Sequence, residues 1–321
     1  MRGFRTLTAG LICTAFLGAA GCSSDAPPES STTYQPYVSA TAASRGDSAG
    51  SPAAYNLAFV VSDGSGCTPV WNGTNAVGDT AVRSRIAWLT AGGARVRVSF
   101  GGASGKELAA TCDSAAGLAA AYAAALDAAG ASEADFDIEG DALADAASVA
   151  LRSQAIALLQ KERPALKVSF TLPVMPSGLD SGSLALLASA NKYDVQISTV
   201  NLMTMNYGES YTGGMGDYAL TSATAAHAQL KSVFGLSDAA AWRGMALTSM
   251  IGVNDVAGET FGLADAAQVR AFAEEKGIAW VSMWSAFRDR QCGSEGSAQD
   301  TLTNCSGVAQ SSGAFAEAFT G

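Results

Sequence analysis

The feature that most constrains this chain is a repeated alternation of short β-rich runs with Ala/Leu-rich stretches of helical spacing. Eight such runs are read as strands: Tyr34–Ala40, Tyr55–Val61, Arg95–Gly101, Ala134–Glu139, Leu166–Val174, Val200–Tyr207, Met245–Val253 and Ile278–Ser285. Several are almost continuously apolar, as strands buried on both faces of a parallel sheet must be. Helices are predicted over Asp79–Ala91, Ser114–Ala129, Ala142–Glu162, Ser181–Lys192, Thr221–Val233 and Ala264–Lys276, with a last one over Ala309–Phe319. The first crossover, Thr41–Ala54, is rich in Gly and Ser and is expected to lack a full helix. This pattern predicts an α/β fold, a single (β/α)8 TIM barrel over residues 34–321, with a doubly wound open sheet as the alternative.

The N-terminus reads as an export leader. Arg2 and Arg5 precede an apolar stretch, Leu7 to Leu17, that is too short to span a bilayer. It ends in Gly18-Ala19-Ala20-Gly21-Cys22, which is similar to a bacterial lipobox with Ala19 where Leu is usual. Residues 1–21 are therefore expected to be a lipoprotein signal, with Cys22 as the lipid anchor and attachment to a membrane through it. Ordinary cleavage near Ala20 is the alternative. Residues 22–33 form a Ser/Pro-rich tether. An extracellular or cell-surface location follows.

Export bears on the cysteines. Once Cys13 and Cys22 are set aside, Cys67, Cys112, Cys292 and Cys305 remain, an even number in an oxidising compartment. Three pairings are possible. Cys67–Cys112 with Cys292–Cys305 is favoured, because the last two share one loop-like segment. No C-x-x-C occurs, which argues against a thiolate zinc site.

Counts exclude other chemistries. The chain has one histidine, His227, so a multi-histidine zinc motif cannot be built. His227 falls in a helical run and is assigned a surface or packing role. The net charge of −10 becomes −12 when the leader takes two arginines and no acids with it. That balance argues against nucleic acid as a partner. The turn Gly101-Gly102-Ala103-Ser104-Gly105-Lys106 fails the phosphate-loop test, with Phe100 and Glu107 at positions that need Gly and Ser/Thr. No metal and no cofactor are expected.

The fourth strand carries the chemistry. In Asp135-Phe136-Asp137-Ile138-Glu139, alternation turns the three acids to one face and the two apolar residues to the other. Within a barrel the acids face the interior, where not all can ionise cheaply, so at least one is expected to hold a proton near neutrality. Glu139 sits at the carboxyl end of the strand, where barrel enzymes place their reacting groups. An exposed acidic edge strand is the plain alternative, and Phe136 and Ile138 would then lack cover.

Here the sequence resembles glycoside hydrolase family 18, the chitinases and their relatives. The resemblance rests on D-x-D-x-E in Asp135–Glu139, Ser99-Phe100-Gly101-Gly102 ending the third strand, and Met203-Thr204-Met205-Asn206-Tyr207-Gly208 in the sixth. Trp280, Trp284 and Arg288-Asp289 in and after the eighth strand extend it. So do Thr171–Leu179 and Met250–Asp255, similar to the TLPV-x-P-x-GL and MIGVND motifs of a bacterial and archaeal subgroup.

The resemblance implies substrate-assisted retaining hydrolysis, which departs from the two-carboxylate scheme. Glu139 would be the acid and then the base. Asp137 would orient the substrate's acetamide, the nucleophile, and Asp135 would share a proton with Asp137. Tyr207 would donate its hydroxyl to the acetamide oxygen. Trp284 would form an aromatic floor under the cleaved sugar. Ser99, Gly101, Gly102, Met205 and Asn206 are placed with the substrate cleft. Asn254 and Asp255 would bond sugar hydroxyls, and Trp71 would stack on a neighbouring sugar, or else simply pack beside Cys67. Asn206 stands where the family usually has an acid, and Ser132 where a longer form of the motif has Asp. Trp88, Trp242 and Trp280 are assigned to packing. The implied enzyme is an endo-acting, monomeric, exported chitinase whose partner is chitin or an N-acetylglucosamine oligosaccharide. The alternatives are an endo-β-N-acetylglucosaminidase or lysozyme-like activity on the same barrel, or a weakly active carbohydrate-binding lipoprotein.

Overall fold

The computed structural model describes residues 32–294 and 297–321. The expected leader, Cys22 and most of the tether lie outside them. Thr32 is already buried, its hydroxyl donating to the Ile278 carbonyl at 2.6 Å, so the chain enters the fold two residues before the expected boundary.

Eight strands form the barrel: β1 (Tyr37–Ser39), β2 (Ala54–Ser62), β3 (Arg95–Gly101), β4 (Glu133–Asp137), β5 (Lys167–Pro173), β6 (Ile197–Met203), β7 (Met245–Met250) and β8 (Trp280–Trp284). Each pairs in parallel with the next. The ring closes because the first run is split. Thr33–Tyr34 pairs in parallel with β8, and after Gln35 and Pro36 the chain resumes as β1 on β2. A closed ring rules out the open-sheet alternative.

Register explains which side chains meet. Ser99, Asp135 and Ser169 are in register across β3, β4 and β5, as are Phe100, Phe136 and Phe170. The first set faces the interior and the second the helices. Phe136 stacks on Phe100 at 5.3 Å and meets Tyr122 edge-on at 5.0 Å. Full burial of such a ring contributes about 1.5–3 kcal/mol.

The main outer helices are α1 (Thr80–Thr90), α2 (Ala115–Ala129), α4 (Ala146–Glu162), α5 (Ser181–Lys192), α6 (Met215–Phe234) and α8 (Leu263–Lys276), with a short α3 (Asp141–Ala144) ahead of α4 and α7 (Asp238–Arg243) ahead of β7. Side-chain oxygens of Asp79, Ser114, Asp145 and Asp180 cap their N-termini. The helix expected from Ala142 is broken at Asp145, whose extended backbone ends α3 and caps α4. Predicted Thr221–Val233 is longer, starting at Met215. After β8 come α9 (Ala298–Thr303) and α10 (Ala314–Thr320), the latter shorter than expected. The Asp289 carboxylate accepts from the Phe315 and Ala316 amides and fixes the start of α10.

Both favoured disulfides are present, Cys67–Cys112 and Cys292–Cys305. His227 stacks on Trp242 at 3.9 Å, a packing role for both. Trp88 departs from its expected packing role, since it projects from α1 at 55% exposure.

Candidate active site

The interior acids of β4 stand at the carboxyl end of the barrel. Asp135 is the deepest. Its oxygens receive the hydroxyls of Ser99 (2.6 Å), Ser169 (2.7 Å) and Thr171 (2.8 Å), with the Tyr37 hydroxyl at 2.9 Å. These contacts fill the acceptor capacity of a carboxylate. This hydroxyl cage is no part of the expectation, which has Asp135 share a proton with Asp137. Ser99 belongs to the cage and is wholly buried, so it supports Asp135 and does not touch substrate.

Asp137 turns toward Glu139 instead, and the two carboxyls share a hydrogen bond. Burial, then the charges of Glu139 and Asp135, hold Asp137 well above the usual carboxylate range. Glu139 is raised as well, first by burial and then by the charge of Asp255, against the opposing effect of its bond to Asp137. The Asp137 Oδ1 atom is buried with no hydrogen-bond partner among the described residues. The site thus sets two carboxyls whose proton affinity is raised beside one acceptor without a partner among the described residues.

Glu139 lies two residues past the end of β4. Its approach is fixed by Gly101 and Gly102, at φ of +100° and +85°. The Gly102 amide donates to the Asp137 carbonyl at 2.9 Å, and a Cβ on Gly101 would come within 2.1 Å of that oxygen. Both glycines, expected to contact substrate, act as supports that let β3 close on β4.

The cleft above these acids has an aromatic wall. The Trp284 ring lies 5.5 Å from Phe59 in a stacked arrangement and meets Tyr37 edge-on at 5.9 Å. Opposite stand Met203, Met205, Asn206 and Asp255, with Thr171 and Thr248 at the base. The Asn206 amide donates to Asp255 Oδ2 at 3.2 Å. Arg288 braces this rim, donating to the carbonyls of Trp284, Val253 and Thr301. Burial pushes its guanidinium down to about 10, opposed by the charge of Asp255.

Three further expectations are corrected. Tyr207 does not enter the cleft. Strand β6 ends at Met203, and Asn206 has φ of +55°, which breaks the alternation that would have kept Met203, Met205 and Tyr207 on one face. The Tyr207 ring instead sits among Tyr211 and Tyr218, 3% exposed. Trp71 lies in the hairpin after β2, paired with Val60, and has no exposed surface to offer a sugar. Asn254 is 3% exposed and spends its amide on the carbonyls of Met250 and Gly252, so it closes a turn. Sequence reasoning missed Phe59 and Tyr37. Phe59 is one apolar residue within an apolar strand and carries no local signal. Tyr37 was findable, since alternation in a barrel strand places Tyr37 and Ser39 on a common face.

No family model matches the chain. Two curated relatives do. It is 35% identical over 275 residues to "Probable bifunctional chitinase/lysozyme" of Escherichia coli (strain K12), covering 80% of this chain and 31% of that protein. It is 34% identical over 248 residues to "Endochitinase 11" of Metarhizium anisopliae, covering 73% and 47%. The chain therefore spans less than half the length of either. Among solved structures, the catalytic domain of the hyperthermophilic chitinase from Pyrococcus furiosus superposes with a TM-score of 0.79 at 28% identity, over 91% of this chain and 95% of that one. The likeness extends along nearly the whole barrel that carries the caged Asp135, the Asp137–Glu139 pair and the Trp284 wall. The chain belongs to the chitinase-like glycoside hydrolases, family 18.

Proposed function

We propose that the protein is an exported chitinase that hydrolyses β-1,4-linked N-acetylglucosamine chains by a substrate-assisted, retaining mechanism. The observation that carries this reading is the Asp137–Glu139 pair. It stands at the strand end beneath an aromatic wall, with the proton affinity of both carboxyls raised and one buried acceptor that lacks a partner among the described residues. Glu139 delivers its proton to the glycosidic oxygen as that bond breaks. Asp137 swings from Glu139 to the acetamide N–H and aligns the acetamide oxygen on the anomeric carbon. The cyclic oxazolinium ion that forms lies against the Asp137 carboxylate, and Glu139, now ionised, draws a proton from the attacking water. Trp284 and Phe59 cover the apolar face of the sugar. Asp135, held by four hydroxyls, forms the floor beneath Asp137.

The test is cleavage of N-acetylglucosamine oligomers by wild type and Glu139→Gln. Loss of the acid is expected to lower turnover roughly 10²–10⁴-fold. A wild type that binds oligomers without cutting them would favour the lectin reading, and full activity in Glu139→Gln would remove Glu139 from the acid role. De-N-acetylated oligomers are expected to resist cleavage, because they lack the nucleophile.

A second reading, cleavage of peptidoglycan by the same groups, is supported by the word lysozyme in the name of the Escherichia coli relative. Release of reducing ends from purified peptidoglycan tests it. Export rests on the leader and Cys22 and is supported by the two disulfides. A Cys22→Ala form that still partitions into detergent would remove the lipid anchor.

A further inference from the structure

The barrel has a second cavity, of about 300 Å³, at the end opposite the cleft. Its walls carry Arg95, Arg97, Glu133, Lys167 and Trp280. Glu133 is buried and gives one oxygen to Arg95 Nε at 2.9 Å and the other to Arg97 Nη2 at 2.6 Å. Arg97 completes its bonding on Asn56 Oδ1 at 2.6 Å and lies 4.2 Å over the Trp280 ring.

This end of the barrel is over-supplied with positive charge. One buried arginine suffices to balance one buried carboxylate. Here three cations surround Glu133. Burial alone would raise its pKa, and Arg97, Arg95 and Lys167 together hold it below the usual range. Arg95 has a side chain 54% exposed, and Lys167 is exposed and has no ion-pair partner within 4 Å among the described residues. The surplus is two positive charges in a chain whose net charge is −10. A second observation is independent of charge. Trp280 is 5% exposed, and its indole N–H is buried without a hydrogen-bond partner among the described residues. A buried orphan donor costs about 1–3 kcal/mol unless a ligand or water accepts from it.

We propose that this basal cavity is a binding site for a single phosphate-type oxyanion. The outer guanidinium nitrogens of Arg95, the Lys167 ammonium and the Trp280 N–H are its donors. A tetrahedral dianion matches the surplus charge, and its several oxygens can accept from donors on different walls. An extended polyanion is disfavoured by the net charge of −10. The described chain enters at this same end, Thr33 pairing with Trp280. The phosphate therefore has two sources, free in solution or carried on an anionic lipid headgroup.

The experiment uses the full chain carrying Cys22→Ala, so that no lipid on that residue contributes. Melting is followed in inorganic phosphate and in chloride at matched ionic strength. Phosphate at about ten times its Kd is expected to raise Tm by about 2–4 °C, a shift that grows with the logarithm of phosphate concentration. Lys167→Met and Arg95→Gln should each weaken phosphate affinity about tenfold, read as the shift in phosphate relative to the same variant in chloride, while oligosaccharide cleavage stays at the wild-type level; Arg95→Gln also lowers melting in chloride, because it removes a bond to the buried Glu133. Sedimentation with phosphatidylglycerol vesicles but not phosphatidylcholine vesicles, lost in Lys167→Met, supports the site and assigns it to a headgroup. A phosphate-specific shift that Lys167→Met weakens, without sedimentation, supports it and assigns it to the free anion. Equal melting in phosphate and chloride with no vesicle binding overturns the proposal, as does a response that Lys167→Met leaves intact.

Discussion

Glu139 is placed for its work by what surrounds it. It must carry a proton to act as an acid, and activity is present below its folded pKa and lost as pH rises through it. Asp255 contributes to keeping that pKa high. Asp255→Asn should therefore move the alkaline limb of kcat/KM toward lower pH. Because Asp255 is exposed, the displacement should shrink at high salt. An unchanged pH profile would show that burial alone holds the proton. The Asp137–Glu139 pair also has a thermodynamic consequence. Both folded pKa values are raised, so stability is fully present below the ordinary carboxylate range and is lost as pH rises through the folded values. Asp137→Asn removes the part of that loss that belongs to Asp137. Its Tm should exceed that of wild type more at pH 8 than at pH 4, while its turnover falls. At this scale the sequence was informative about which acids share a face, since strand alternation groups them. It could not show that Asp135 is caged by hydroxyls, because Tyr37, Ser99, Ser169 and Thr171 come from three other strands.

Strand ends decide which side chains reach the cleft. Alternation correctly assigned Asp135, Asp137 and Glu139, because β4 stays extended up to Asp137. It failed for Tyr207, because β6 stops at Met203 and Asn206 turns the chain into the left-handed region. Asn tolerates that conformation better than most residues, so the residue itself was the available signal. Strand β3 ends in the two glycines that admit the Asp137 carbonyl. Gly101→Ala would drive its Cβ against that oxygen and displace the chain leading to Glu139. A shift near 1 Å at a reacting group costs about 10²-fold. The expected result is a fall in kcat of that order with KM little changed. Wild-type kcat in a folded Gly101→Ala protein would contradict this account.

The barrel as a whole was legible because eight buried strands alternating with helices leave few alternatives. The closure was not, since the two-residue Thr33–Tyr34 segment is too short to show a period. Covalent links add to the packing. Cys67–Cys112 spans 45 residues of sequence and Cys292–Cys305 spans 13. On a chain-entropy estimate they contribute about 4 and about 3 kcal/mol. Replacing Cys67 and Cys112 by Ala should therefore lower Tm more than replacing Cys292 and Cys305, and equal losses would show that loop entropy is not the controlling factor. The split first strand has a mechanical consequence. A pull on the chain upstream of Thr33 is borne by the short ladder to β8, through the Thr33 amide on Ala279 and the Gln35 amide on Val281. Beyond Gln35 and Pro36 the next support is β1, whose Tyr37 holds Asp135. Tension on the tether is therefore led along the seam of the barrel toward the floor of the cleft.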